Sequence, residues 1–152
     1  KFYRSINGIL GKVGSNKIDV VLSLCNTYCC PYLLYCVEIM QLSQSEVRYL
    51  EKPFNYVFVK LFNTFDQYVI KSCQYYMHYL PLELVICYRT VVFLSKVKES
   101  DNIVLNSLFN WFSKNTLWSI TERFHLNIIV PESRKRTIWT YFSNYVNNLM
   151  LL

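Results

Sequence analysis

Residues 43–62 read SQSEVRYLEKPFNYVFVKLF, and this stretch decides the fold class. Ser43 followed by Glu46 is a capping-box pattern, which marks the start of a helix. After it, apolar side chains return every three or four positions, as one buried face of an α-helix requires. They are Val47, Leu50, Phe54, Val57, Phe58, Leu61 and Phe62. Pro53 interrupts this stripe, and we expect it to kink the helix because proline removes one backbone hydrogen bond.

The same helical spacing continues on both sides of this stretch. Before it, a stripe over residues 2–13 ends at Gly14, and a second segment that begins at Asp19 is expected to end at Pro31. After it come further helical stretches, whose apolar positions fall within 69–77, 84–92, 104–112 and 131–149. We therefore predict an all-α fold, an irregular bundle of about six to eight helices, with a short strand or buried coil at residues 126–130.

The composition excludes several classes of protein. Of the 152 residues, 53% are hydrophobic and 17% are charged, which excludes an intrinsically disordered chain. Only 3 Gly and 4 Pro are present, which excludes a collagen-like protein or a flexible linker. The chain begins with Lys1 rather than methionine, and we expect it to be a fragment of a longer protein.

Six cysteines occur in a chain with few turn-forming residues, so a secreted disulfide framework is not expected. They include no Cys-x-x-Cys pair, and His78 and His125 lie far apart, so no zinc-ligand spacing is present. We predict reduced thiols in an intracellular protein, in the nucleus or the cytoplasm, with no metal or other cofactor. The cysteines are Cys25, Cys29, Cys30, Cys36, Cys73 and Cys87.

Residues 20–37 carry no formal charge and would be flagged as a membrane span by their hydropathy. Polar residues and Pro31 interrupt the middle of this stretch, and Asp19 and Glu38 close its ends. We expect two buried helical pieces broken at the proline. A small membrane protein that spans through 20–37 stays open as the alternative.

Motifs of catalysis are absent from the sequence. There is no glycine-rich phosphate loop, no Gly-x-Ser-x-Gly elbow and no His-Glu-x-x-His pair. Glu99 and Asp101 flank Ser100 at a predicted helix start, where carboxylates commonly interact favourably with the helix dipole. We therefore expect no enzyme activity from this chain by itself.

The basic residues are the most informative candidates for a functional site. The chain carries 16 basic and 10 acidic residues, for a net charge of +6. Basic side chains interleaved with Tyr and Trp are typical of nucleic-acid binding. The basic groups contact phosphates, and the aromatic rings stack on bases. Alternatively, they form the solvated faces of a basic helical protein. The candidates are Lys1, Arg4, Lys12, Lys17, Arg134, Lys135 and Arg136.

The first 109 residues contain short strings that recur in one known protein family. Residues 1–14 read KFYRSINGILGKVG, and residues 31–38 read PYLLYCVE. Further strings are Val20–Leu24, Thr27–Cys29, Lys60–Phe62, Leu80–Leu84, Arg89, Phe93–Lys96 and Ser100–Asn102. In order and spacing they resemble the region downstream of the polymerase core in LINE-type (non-LTR) retrotransposon reverse transcriptases. The second string looks like that family's Leu-Pro-x-Leu-Leu-Tyr-Gly-x-Glu.

Four positions depart from the family pattern. Cys36 stands where the family has glycine, and Pro53 stands at an apolar helix position. Tyr56 and Tyr88 stand where the family has basic residues. Residues 110–152 show no match to the family, and we expect them to form a helical tail of different origin.

The resemblance implies that residues 1–109 form the helical thumb and the segment after it, which contacts the backbone of the template–primer hybrid. The four amino-terminal basic residues become candidates for phosphate contact, and Leu33, Leu34 and Tyr35 become candidates for the thumb core. The family's catalytic Asp-Asp motif is absent, so polymerisation would require an upstream palm. We expect weak, sequence-independent binding of RNA or an RNA–DNA hybrid. A helical protein-interaction module and a decayed copy of the element with no selected function stay open as alternatives.

Overall fold

The computed structural model describes residues 1–40, 42–105, 107, 109, 136, 138–140 and 143–144. Helices are the regular structure of these residues, and no strand occurs among them, which confirms the predicted all-α fold. In chain order they are α1 (Phe2–Val13), α2 (Ile18–Leu24), a π-helical turn (Cys25–Cys29), α3 (Cys30–Leu33), α4 (Gln44–Phe62), α5 (Gln67–Tyr76) and α6 (Leu82–Lys98). Residues 126–130 lie outside the described residues.

The helix α4 begins at the capping box that the sequence predicts. The backbone N–H of Ser43 donates to Glu46 Oε2 at 2.8 Å, and the N–H of Glu46 donates to Ser43 Oγ at 3.4 Å. Both N–H groups belong to a helix start, where no carbonyl of the helix itself can accept from them. The hydroxyl and the backbone N–H of Ser43 also lower the pKa of Glu46, because they stabilise its charged form.

The proline inside α4 does not end the helix, which runs through Pro53 to Phe62. Because proline has no N–H, the carbonyl of Tyr49 receives no hydrogen bond from the residue four positions later. Tyr49 is 75% exposed, so water reaches this side of the helix. The proline therefore occupies a place where solvent can replace the missing donor.

The first compact unit, Lys1–Glu83, is built around one apolar core. Helices α1, α2, α4 and α5 and the π turn all contribute buried side chains to it. The buried residues are Ile6, Val21, Leu22, Cys25, Cys29, Val57, Phe58 and Ile70. Burial of these side chains stabilises the unit, at about 1.5 to 3 kcal/mol for each large aliphatic or aromatic one.

The prediction that the second helix ends at Pro31 is wrong. Instead, the turn before the proline widens, and the N–H of Cys30 donates to the carbonyl of Cys25, five residues back. Pro31 then lies in the first turn of α3, where a missing N–H costs little. The chain stays helical to Leu33.

Turns replace the expected continuation after α3. Of the three residues expected in a core, Leu34 is buried and Leu33 is half-buried. Tyr35 is 79% exposed, so its expected place in the core is wrong. The chain reverses at this point: Cys36 has a left-handed φ of 58° and its carbonyl accepts from the N–H of Ile39. Because Tyr35 lies on this turn, its ring faces solvent.

The second compact unit, Leu84–Leu152, contains most of α6. Val91, Leu94 and Val97 recur every three residues on the buried face of that helix. Asn102 Oδ1 accepts from the N–H of Val104 at 2.9 Å at the start of the next helical segment, directly after the predicted start at Ser100 and Asp101. The division predicted near residue 109 rests on the family resemblance alone and stays a prediction.

The six cysteines form no disulfide bond with one another, and three of them are buried and three half-buried. Over the part of the chain that the structure describes, no helix combines the length and the apolar character needed to cross a membrane.

Candidate nucleic-acid interface

The helix α1 has one apolar face and one basic face. Ile6 is buried in the core, and Phe2, Ile9, Leu10 and Val13 pack against it. Lys1, Arg4 and Lys12 are exposed. Lys1 is the residue directly before the first turn of the helix. Arg4 and Lys12 are about 80° apart around the helix axis, so these cations lie on the side turned away from the buried Ile6. The sequence spacing thus produces an amphipathic helix whose outer side is positively charged.

Two glycines lie between the cations on this basic face. A Cβ atom added at Gly8 or at Gly11 would meet no atom within 4 Å beyond the neighbouring residues and the backbone of its own helical turn, so the backbone there borders open space. Arg4 and Lys12 are separated by two turns, about 12 Å along the axis. The result is a flat stretch of exposed backbone between two charged side chains.

The local charge is of a single sign. Residues 1–18 contain four basic residues and no acidic residue. Lys17, the fourth of them, is exposed at the start of α2, after the chain leaves α1 at Gly14 with a φ of 81°. Lys12 lies in the last turn of α1, where it also interacts favourably with the helix dipole.

Tyr56 of α4 joins that helix to the border of the basic face. Its hydroxyl donates to Asn7 Oδ1 at 3.2 Å, and its ring meets the Tyr3 ring edge-to-face with centroids 4.7 Å apart. Lys60 places its Nζ 5.5 Å from the centroid of the same ring. Aromatic pairs of this kind contribute about 0.5 to 1.5 kcal/mol. The contacts therefore fix an aromatic border beside the cations of α1.

The structure brings together part of the predicted site. Lys1, Arg4 and Lys12 share the basic face of α1, and Lys17 follows at the next helix start. Arg136 is exposed and helical in the second unit, whereas Arg134 and Lys135 lie outside the described residues.

Four neighbours of the basic face were not predicted: Tyr3, Asn7, Tyr56 and Lys60. Their spacing carried a partial signal, since residues 3 and 7, like residues 56 and 60, are four apart and share a helical face. Which helix packs beside α1 could not be read from this spacing. The contact between the two pairs therefore emerges only from the packed structure.

A cluster of thiols lies elsewhere in the first unit, beside the ring of Tyr79. Burial, and then the neighbouring Cys29, raises the pKa of Cys25 to about 12, and burial also raises the pKa of Cys29 and of Cys30. Cys30 Sγ lies 3.3 Å from the hydroxyl of Tyr79, whose pKa burial raises too. These thiols stay protonated at neutral pH, and protonated thiols are poor nucleophiles. They are core residues.

No group of three or more His, Cys, Asp or Glu side chains arranged to bind a metal ion occurs in the described ranges. The chain matches no protein-family model, no curated protein and no solved structure. What the first unit offers chemically is a row of cations, open helix backbone and an aromatic border. Cations and backbone contact phosphates without reading bases.

Proposed function

We propose that this chain is a non-catalytic, thumb-like part of a LINE-type reverse transcriptase. It binds an RNA–DNA hybrid weakly, by contacting the sugar–phosphate backbone of the hybrid. The observation that carries the proposal is the basic face of α1, with Lys1, Arg4 and Lys12 opposite the buried side of the helix. Polymerisation belongs to an upstream palm with the Asp-Asp motif that this sequence lacks.

The physical basis of such binding is the release of counterions. Each cation that neutralises a phosphate frees condensed counterions, so affinity falls as salt rises. The uncovered backbone at Gly8 and Gly11 adds a reason for close approach, because no side chain there holds a phosphate strand away. Contacts of this kind fix position on a helix and carry no sequence information.

The backbone at Cys36 supports the family part of the proposal. The φ of 58° there is a left-handed conformation, which glycine adopts at no steric cost. The similar reverse transcriptases have glycine at the matching position of their Leu-Pro-x-Leu-Leu-Tyr-Gly-x-Glu string. The turn expected from a glycine is thus present here although the side chain has changed.

The test is the salt dependence of hybrid binding. We expect replacement of Lys1, Arg4, Lys12 and Lys17 by Gln to reduce the slope of log K against log salt by about 3 to 4, since each phosphate contact contributes roughly 0.9. The measurement is fluorescence anisotropy with a labelled RNA–DNA hybrid across a salt series.

A matched pair of variants controls for net charge. R4Q/K12Q and K96Q/K98Q each remove two positive charges, and all four side chains are exposed. The α1 pair should flatten the slope and the α6 pair should leave it unchanged. Equal slopes for the two variants would overturn the assignment of the contact to α1.

A helical protein-interaction module is the second candidate function. It is favoured by five exposed large side chains that follow one another within residues 28–40. They are Tyr28, Tyr32, Tyr35, Ile39 and Met40. Tyrosine and methionine are enriched at protein interfaces. A complex that stays intact at high salt, from a chain that binds no hybrid, would select this function over the first.

A further inference from the structure

The outer face of α4 carries a second pattern that the basic face of α1 does not explain. Tyr49, Lys52, Tyr56 and Lys60 are three, four and four residues apart, so they form one line along the helix. We call this line the α4 strip. Three of its members are exposed and Tyr56 is half-buried. The strip extends about 16 Å along the helix axis.

The strip alternates aromatic and positively charged side chains, with one residue on each turn of the helix. No acidic residue lies on this line. Glu51, the acidic residue within the span of the strip, lies between about 100° and 180° around the helix from every member of the strip. Glu46 lies one turn before the strip, where its carboxylate accepts from the N–H and the hydroxyl of Ser43. The strip thus presents rings and cations to an anionic partner.

Rings and cations in alternation fit unpaired nucleotides better than a duplex. In a duplex the base faces are stacked on one another, so a tyrosine ring has no base face to contact. In a single strand each base offers a free face, and proteins bind such strands with aromatic rings for the bases and cations for the phosphates. Tyr49, 75% exposed, has the ring with the most open surface on the strip.

The strip adjoins the basic face of α1 through Tyr56. The Tyr56 hydroxyl bonds to Asn7, and its ring contacts that of Tyr3, which is 48% exposed on the border of α1. Tyr56 is therefore a positioning residue: it holds the Tyr3 ring between the cations of α1 and the rings of α4. The α4 strip and the basic face of α1 are therefore neighbouring surfaces of the first unit.

We propose that the α4 strip, with Tyr3, binds unpaired nucleotides that extend from a hybrid held on α1. The ligand class is a junction between an RNA–DNA hybrid and a single strand. The inference rests on the proposed function, because α1 is taken to hold the paired part. Binding is non-covalent and combines base stacking with phosphate contacts.

The experiment compares three labelled probes with the full chain: a blunt hybrid, the same hybrid with an overhang of about 8 nucleotides, and that overhang made of abasic nucleotides. The abasic probe keeps the phosphates and removes the bases. We expect the tightest binding for the overhang with bases. We expect Tyr49→Leu to weaken that binding by about 5- to 150-fold, from a stacking contribution of roughly 1 to 3 kcal/mol, and to leave blunt-hybrid binding unchanged.

Two further variants complete the comparison. K52Q/K60Q should weaken binding of both overhang probes, because they share the phosphates. Tyr32→Leu removes a ring of similar exposure outside the strip and should change nothing. Circular dichroism and thermal unfolding of each variant confirm that the fold is intact.

Several outcomes would overturn the inference. Equal affinity for the blunt hybrid and the overhang would leave the proposed function standing and end the assignment of the strip. The same would follow if Tyr49→Leu weakened all probes alike, or if the abasic overhang bound as tightly as the normal one. A chain that binds no probe would overturn both proposals.

Discussion

At the scale of single residues, Gln74 and Asn55 are polar side chains placed inside the packed interior of the first unit. Gln74 is 1% exposed, and its Nε2 donates to Asn55 Oδ1 at 2.8 Å. A buried amide without its partner destabilises the folded state by about 1 to 3 kcal/mol, so removing one of the two side chains costs more than the bond itself contributes. Because the two residues belong to α5 and α4, it holds these helices at one relative position.

This pair gives the first prediction. We expect Gln74→Leu to lower the free energy of unfolding by about 1 to 3 kcal/mol, because it leaves the Asn55 amide buried and unpaired. The combined variant N55L/Q74L should lose less than the sum of the two single variants. Urea unfolding measures all three, and strictly additive losses would contradict the coupling.

The second residue-scale prediction concerns Cys36, whose φ is 58°. A residue with a side chain in a left-handed conformation destabilises the folded state by about 1 to 2 kcal/mol, and glycine relieves this strain. Part of the stabilisation is lost again, because glycine loses more chain entropy on folding. We expect Cys36→Gly to raise the free energy of unfolding by about 0.5 to 1 kcal/mol. Cys36→Ala keeps the Cβ, removes the thiol and should bring no gain; a glycine variant no more stable than the alanine variant would contradict the argument.

At the scale of elements, α1 contains glycine, a weak helix former, at two exposed positions, Gly8 and Gly11. Each glycine lowers helix stability by about 0.8 to 1 kcal/mol relative to alanine. A methyl group would fit at both places without a contact. We expect G8A/G11A to raise the free energy of unfolding by about 1 to 2 kcal/mol and to weaken hybrid binding, because the methyl groups hold phosphates away from the helix. Thermal unfolding and hybrid titration test the two parts, and unchanged binding would remove the glycines from the interface.

Local signals in the sequence were sufficient for several elements. The apolar stripes and the caps predicted α1, α4 and α5 because periodicity and capping act within a few residues. Pro31 shows the limit of such signals. The lost hydrogen bond of a proline can be accommodated by a helix end, a widened turn or solvent, and only the surrounding packing selects one of these.

For the candidate site, the sequence predicted the cations and missed the rings. Lys1, Arg4 and Lys12 share a face because of their spacing on one helix. The Tyr3–Tyr56 contact joins residues 53 positions apart in the chain. No periodicity within one helix encodes which other helix packs beside it, so half of the interface required the structure.

At the scale of the whole molecule, the buried thiols make stability depend on pH. Burial raises the pKa of Cys25 from 9.0 to about 12 in the folded protein. Above the lower value the unfolded chain loses a proton that the folded chain keeps, so the folded state becomes relatively less stable. The stabilisation is fully present below about pH 9 and is lost as the pH rises towards 12.

The corresponding prediction is a fall in the free energy of unfolding between pH 9 and pH 12. Cys29 and Cys30 shift in the same direction and add to the effect. Urea unfolding at a series of pH values, in the presence of a reductant, measures it. A Cys25→Val variant should show a shallower fall, and a wild-type stability that is independent of pH across this range would refute the prediction.

The π turn at Cys25–Cys29 has a consequence for the length of the chain. A π turn contains one residue more than an α-helical turn. Elsewhere in a packed helix, removing one residue rotates all later side chains by about 100° relative to the earlier ones. Here the loss of exposed Asn26 or Thr27 would instead convert the wide turn into an ordinary one and leave α2 and α3 in phase. At this turn the chain can therefore lose one residue without a change in the direction that the side chains of the following helix face.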